Sequence, residues 1–289
     1  MYRPEEVLIP RNVDEITAIL AQHPEDARVI AGNTMMFEVA SRGLASDVKI
    51  LVDITQAGLA YINEQQDGIH IGAATTLTEL AQAPALLRSP RDSVVAETAM
   101  KITPVQIRNV ATIGGEICSA IPFFDLPPSL LTLDAQVKLR DKRGERTLPL
   151  REFTTDFLTT AIHPDELLTE IVLPKADQPS GAAFVKLGRT ASDLAVVNVA
   201  ASVSLDSLRR CQSASIWLGG VAPTFRRSPE TEALLVGTTL DKEAITKAAG
   251  AAANFEPTPS IHASAEYKKL VIPVLIRDCV QAAHRKAGP

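Results

Sequence analysis

Aromatic residues fill only 4% of the 289 positions, tryptophan occurs once, and there are three cysteines. Cys118, Cys211 and Cys279 are too few and too far apart for a four-thiolate iron–sulfur centre, and their odd number argues against a disulfide framework. They read as buried free thiols. His23, His70, His163, His262 and His284 show no metal-ligand spacing, so no metal is assigned. Positive charge is not in excess. The formal net charge is −5, and Lys and Arg are dispersed instead of forming a block, which excludes a basic field for nucleic acid. No apolar run has the length to cross a bilayer, and the first ten residues lack the apolar core of a signal segment, so a cytoplasmic protein without a membrane span is expected. Neither Gly-x-Gly-x-x-Gly nor Gly-x-x-x-x-Gly-Lys occurs.

What is present is a 46% hydrophobic, 22% charged composition, suited to a globular chain with a substantial core and room for two or three domains. Asn12 lies three residues before Glu15 and is followed by Ile16, Ile19 and Leu20, which predicts a helix to about Gln22. Residues 27–31 read as a short strand, residues after Thr34 as a helix ending at Gly43, and 48–54 as a second strand. Further on, 68–72 reads as a strand, Thr76 with Glu79 as a capping box, and 93–102 as a helix. Residues 135–140 and 146–150 alternate around the turn 141–144 as a hairpin. The polar run 175–181 breaks the pattern after Pro174. Beyond it come strand candidates at 195–205 and 214–221, helices near 230–236 and 241–253, and a helix over 264–284 in which Pro273 forces a kink or break. Strands followed by helices suggest an α+β module.

Two glycine-centred turns carry the chemistry. The first comprises Arg28, Val29, Ile30, Ala31, Gly32, Asn33 and Thr34, leading to Met35. The second runs from Asn109 through Ala111, Thr112, Ile113, Gly114 and Gly115 to Glu116. Each can bring bare backbone N–H groups close to a phosphate without an intervening side chain, and two such turns suit a diphosphate. A diphosphate carries about two negative charges, and each N–H aimed at one contributes roughly 1.5–3 kcal/mol net, so no arginine clamp is required. Asp125, between Phe123-Phe124 and Pro127-Pro128, suits either an Asx turn or a hydrogen-bond acceptor role.

With the segment 120–135 these turns resemble the FAD-binding medium subunit of the molybdenum hydroxylases, the family of the xanthine dehydrogenases and aerobic carbon monoxide dehydrogenases. There the first turn reads Ala-Gly-Gly-Thr or Gly-Asn-Thr and the second Thr-Ile-Gly-Gly-Asn. The resemblance extends to Phe184–Arg189 with Ser192–Val197, to Leu218–Pro223, and to Ala265-Glu-Tyr-Lys-Lys269. Glu116, Ile121 and Thr190 depart from it, standing where Asn, Ser and a second Arg are usual.

The resemblance implies an α+β chain. A two-part PCMH-type, vanillyl-alcohol-oxidase-like FAD-binding domain would occupy residues 1–176, in parts of about 1–55 and 56–176, followed by a carboxyl-terminal α+β domain of the CO-dehydrogenase flavoprotein type at 177–289. It implies FAD contacts from both turns and from Asp125, with Ile102, Leu167, Leu168 and Lys186 positioning the cofactor. It also implies an oxidoreductase subunit that passes electrons to an external acceptor. Molybdopterin-bound molybdenum and 2Fe–2S clusters would lie on a large and a small partner subunit, in a dimer of heterotrimers. Two other readings stay open: a stand-alone flavin reductase of the enolpyruvyl-sugar reductase type, for which Cys118 and Ser119 are the available proton donors, and an assembly protein that has lost FAD because Glu116 repels phosphate.

Overall fold

The computed structural model describes residues 3–288. Residues 3–54 form a three-stranded parallel sheet in which Ile50–Asp53 lies between Glu6–Leu8 and Ala27–Ile30. The central strand is apolar on both faces because a helix covers each: Ile50 and Val52 pack with Ile16 and Leu20, whereas Leu51 packs with Met36, Val39 and Ala40. The helix Val13–Gln22 starts at Asn12, whose Oδ1 accepts from the Glu15 N–H at 2.9 Å, while the Glu15 carboxylate accepts from the Arg11 N–H at 2.8 Å. The opening strand Glu6–Leu8 is too short and too exposed to show as a pattern in sequence.

The second unit is a five-stranded antiparallel sheet in the order Ile62–Glu64, Gly68–Gly72, Leu167–Pro174, Gln136–Arg140, Glu145–Pro149. The expected hairpin is present, and Asp141 Oδ1 closes its turn by accepting from the N–H groups of Arg143 and Gly144 at 2.6 and 2.9 Å. Helices Leu77–Gln82, Ser93–Lys101, Ile113–Cys118 and Leu126–Thr132 supply the apolar side chains of the core on one face. The Thr76–Glu79 capping box forms as expected.

On this sheet His70 shares Glu170 with Tyr61 and Lys138: His70 Nδ1 lies 2.8 Å from Glu170 Oε1, Tyr61 Oη donates to Oε2 at 2.8 Å, and Lys138 Nζ is 2.7 Å from Oε1. His70 Nε2 lies 3.0 Å from Asp67 Oδ1. Burial alone would lower the His70 pKa, but the hydrogen bonds with Glu170 and Asp67 together raise it. A raised folded-state value means stability that is full below the unfolded histidine pKa and lost as pH rises through the folded one. The urea midpoint should therefore fall between pH 6 and pH 8.5, and the fall should be smaller in His70→Asn. Equal slopes in both proteins would show that the cluster is not proton-linked to folding.

The third unit is an antiparallel meander, Ser180–Leu187, Val197–Leu205, Cys211–Gly219, Arg226–Arg227. Its first strand begins inside the expected breaker run, because Ser180 and Gly181 pair with Ser204 and Val203. Strand alternation divides it between two cores. Ala182, Phe184 and Ala200 face the second unit, and Ala183, Val199 and Ala201 face the helix Ala265–Lys286. That helix runs unbroken through Pro273, so of the expected kink or break, the break does not occur. Its buried residues Ile272, Ile276, Val280 and Ala283 offset the roughly 3 kcal/mol that an internal proline costs. On the opposite face every residue of Leu126–Thr132 is buried, and Thr132 ties it to the sheet by donating to Ser215 O at 2.6 Å and accepting from Ser202 Oγ at 2.8 Å. Pro127 and Pro128 occupy the first turn of this helix, where a missing N–H costs nothing. Of the thiols, Cys211 and Cys279 are buried as expected; Cys118 is exposed as a residue, although burial pushes its thiol up to about 12.

Candidate functional site

The first turn forms where the edge strand Ala27–Ile30 ends. Asn33 takes a left-handed conformation, φ 56° and ψ 9°, which rotates successive N–H groups toward one side before the helix Thr34–Ser41 begins. Among the described residues, the N–H groups of Gly32, Asn33, Thr34, Met35 and Met36 make no hydrogen bond to the chain. Five free amides at a helix start form an anion cradle. Gly32 is required by packing: a Cβ there would lie 1.8 Å from Val110 O. The first turn thus rests directly on the entry to the second, joining segments about eighty residues apart in sequence. Arg28 and Val29 are exposed on the edge strand, and Arg28 Nη2 lies 3.6 Å from Asp47 Oδ2.

The second turn is built differently from what its glycines suggest. Thr112 caps the helix Ile113–Cys118 by accepting from the Gly115 N–H at 3.1 Å. The N–H groups of Ile113, Gly114 and Glu116 donate to Thr75 O, Ala73 O and Thr112 O at 3.0, 2.9 and 3.0 Å. Gly114 and Gly115 are therefore not phosphate donors here, which corrects the expectation that both turns contribute amides. Ala111, Thr112, Ile113 and Gly114 are buried, and a Cβ on Gly114 would lie 2.6 Å from Ala73 O. Gly115 is exposed, and a Cβ on it would meet only Thr112 Oγ1 at 3.2 Å. The second turn offers a bare surface; the first offers the donors.

Asp125 is 4% exposed. Its Oδ2 receives Lys186 Nζ at 2.6 Å and its Oδ1 the Asn198 Nδ2–H at 3.1 Å; the same Nδ2 donates to Phe124 O at 3.0 Å. Burial raises the Asp125 pKa, against the lowering effect of Lys186 and Asn198. Both partners come from the carboxyl-terminal sheet, so that unit holds the carboxylate in place. Gly219 lets it approach, since a Cβ there would lie 2.2 Å from Asn198 Oδ1, and Gly220 N donates to Pro122 O at 2.7 Å. Lys268, 2% exposed, anchors the turn from behind by donating to Gly220 O and Thr258 O at 2.7 and 2.9 Å.

Asn198 was missed by sequence reasoning, although a lone amide inside the apolar strand Val197–Leu205 is the signature of a buried polar contact. Ile102 ends the helix Ser93–Lys101, half-buried, with its carbonyl accepting from Arg108 Nη1 at 2.8 Å. Leu167 and Leu168 point to opposite faces of their strand, one into the amino-terminal core and the other into the central core. Both are buried.

The fold joins an amino-terminal α/β unit that carries an anion cradle to a carboxyl-terminal sheet that holds Asp125 in place. Residues 3–176 match the FAD binding domain in molybdopterin dehydrogenase, and residues 182–283 match the CO dehydrogenase flavoprotein C-terminal domain. The chain is 34% identical over 284 residues to the 6-hydroxypseudooxynicotine dehydrogenase complex subunit alpha of Paenarthrobacter nicotinovorans, covering 98% of this chain and 95% of that one. It is 33% identical over 280 residues to the carbon monoxide dehydrogenase medium chain of Afipia carboxidovorans, covering 96% of each. Its structure superposes on a chain of the carbon monoxide dehydrogenase of Hydrogenophaga pseudoflava with a TM-score of 0.92 at 30% identity, covering 99% of both. The chain belongs to the family of FAD-binding subunits of molybdopterin dehydrogenases. The α+β expectation holds, and among the described residues no helix is long and apolar enough to cross a membrane.

Proposed function

We propose that this chain is the FAD-carrying electron-transfer subunit of a multi-subunit molybdenum hydroxylase. The observation that carries this reading is the row of five free amides from Gly32 to Met36, in a turn that rests on Val110 at the entry to the second turn. The donor set fits a diphosphate: all neutral N–H groups, a left-handed Asn33, and no carboxylate in the turn. Residues 28–35 would hold the diphosphate, and 111–115 would form the wall beside it. Ile102, Asp125 and Lys186 would orient the rest of FAD, with Leu167 and Leu168 packed underneath. FAD, when bound, supplies a carrier that takes and gives electrons singly or in pairs.

No cluster of metal ligands occurs among the described residues. In this reading the molybdopterin and 2Fe–2S centres belong to a large and a small partner subunit, as the relatives' multi-subunit complexes support, and a dimer of heterotrimers, an external acceptor and a cytoplasmic location complete the proposal. The domain boundaries we propose fall near residues 55 and 176. The isolated chain should release one non-covalent FAD on denaturation, identified by mass, and its flavin should not be bleached by the organic substrate of the complex. In the reconstituted complex, rapid-mixing spectroscopy should show flavin reduction only after the iron–sulfur centres are reduced. Covalent flavin, FMN, or bleaching of the isolated chain at the rate of the whole enzyme would refute this assignment.

A further inference from the structure

Glu116 stands where the family resemblance leads one to expect asparagine, and its surroundings are short of hydrogen-bond donors. Its Oε2 is buried without a partner among the described residues, and so is Asn198 Oδ1. Two carboxyl groups, Glu116 and Asp125, share one ammonium group, and Lys186 Nζ is already 2.6 Å from Asp125 Oδ2. The Asn198 amide is committed as well, to Asp125 and Phe124 O. Two neighbouring buried carboxylates with one directly paired ammonium group, Lys186, and with Lys101 acting on Asp125 only through space, do not both ionise at low cost. One added proton relieves the cluster twice, by removing the second charge and by supplying an O–H donor.

We propose that Glu116 is a neutral carboxylic acid in the working protein and that its proton is a condition for retaining FAD, so that cofactor affinity is proton-linked through this one side chain. The proposal rests on the FAD reading given above. Burial first, and the Asp125 charge second, push the Glu116 carboxyl up to about 8, while hydrogen bonding from the Leu126 N–H and the Lys186 charge oppose this. The other groups around the cluster have fixed roles. Asp125 heads the helix Leu126–Thr132, Lys186 and Asn198 project from the carboxyl-terminal sheet, and Lys101, at the end of the helix Ser93–Lys101, acts on Asp125; Cys118, on the same helix as Glu116, is exposed. Ionisation above pH 8 would add a second buried negative charge on the helix that carries Gly115, the wall proposed for a ligand that is itself a dianion. The same chemistry explains why Glu116 need not repel a phosphate at neutral pH, which removes the reason for reading this chain as an assembly protein that has lost FAD.

The test uses the full chain stripped of FAD, and its Glu116→Gln variant, which keeps the shape of the neutral acid. Infrared difference spectra of the parent minus the variant should show a protonated carboxyl band at pH 7 that is lost by pH 9. In FAD titrations followed by flavin fluorescence, the competent fraction should fall as Glu116 ionises, so the parent Kd should rise on the order of tenfold between pH 7 and pH 9 while the variant stays flat. An ionised Glu116 at pH 7, or a variant with the same pH dependence as the parent, would overturn the proposal. Absence of FAD binding at pH 7 in both proteins would instead sink the FAD reading, and the gating with it. The infrared band would still decide the protonation state.

Discussion

Gly115→Val should empty the chain of FAD and leave its fold standing. The two consequences separate because Gly115 is exposed and a Cβ on it meets nothing but Thr112 Oγ1, at 3.2 Å. It lies inside the helix Ile113–Cys118, outside the positive-φ glycines, and valine is no worse a helix former than glycine. An isopropyl group standing on the bare wall would hold the diphosphate away from the Gly32–Met36 amides. Losing two charge-assisted contacts of roughly 1.5–3 kcal/mol each weakens binding by about 3–6 kcal/mol, or about 10²–10⁴-fold in Kd. The urea midpoint should move little. Gly114→Ala and Gly32→Ala are the contrasting cases, because their added Cβ atoms would lie 2.6 Å from Ala73 O and 1.8 Å from Val110 O, and both should lower stability directly. Parent-like FAD affinity in Gly115→Val, measured by fluorescence titration, would remove the second turn from the site.

The difference between these glycines marks the limit of what the sequence discloses. Gly-Asn-Thr after an apolar run is readable as a strand, turn and helix start, because all three signals are local. Whether a glycine is there for a ligand, a left-handed angle or a neighbouring carbonyl depends on a segment that folds against it from elsewhere in the chain. Val110 over Gly32 and Ala73 over Gly114 are such segments. The amides of Ile113 and Gly114 look available in sequence and are taken by Thr75 and Ala73 across a non-local contact. Asp125 and Lys186 were assigned to one site by resemblance, but their direct pairing, and the part played by Asn198, depend on the packing of the carboxyl-terminal sheet against Leu126–Thr132. The short edge strands escaped for a related reason: Glu6–Leu8 and Ile62–Glu64 carry too few buried residues to impose a period.

Lys186→Met should cost about 3–5 kcal/mol, the usual range when one partner of a buried ion pair is removed, and thus a large share of the roughly 5–15 kcal/mol that holds such a chain folded. The side chains of Lys186 and Asp125 are 11% and 4% exposed, so water cannot take over the role of the ammonium group. What remains beside Asp125 is one amide hydrogen bond from Asn198, the charge of Lys101 acting through space, and the Glu116 carboxyl. The penalty is that of an uncompensated carboxylate. It is present in full where Asp125 is ionised and shrinks as pH falls through the pKa of Asp125, which burial has already raised. Adding Asp125→Asn should restore most of the loss, since the unpaired charge is then gone and the Asn198 amide keeps an acceptor. Urea unfolding of the parent, both single variants and the double variant closes the cycle, with a coupling energy well above the 0.5 kcal/mol or so expected of independent sites. If the losses in Lys186→Met and Asp125→Asn simply add, the two groups are not coupled, and the carboxyl-terminal sheet braces the flavin site through Asn198 and the Gly219–Gly220 turn alone.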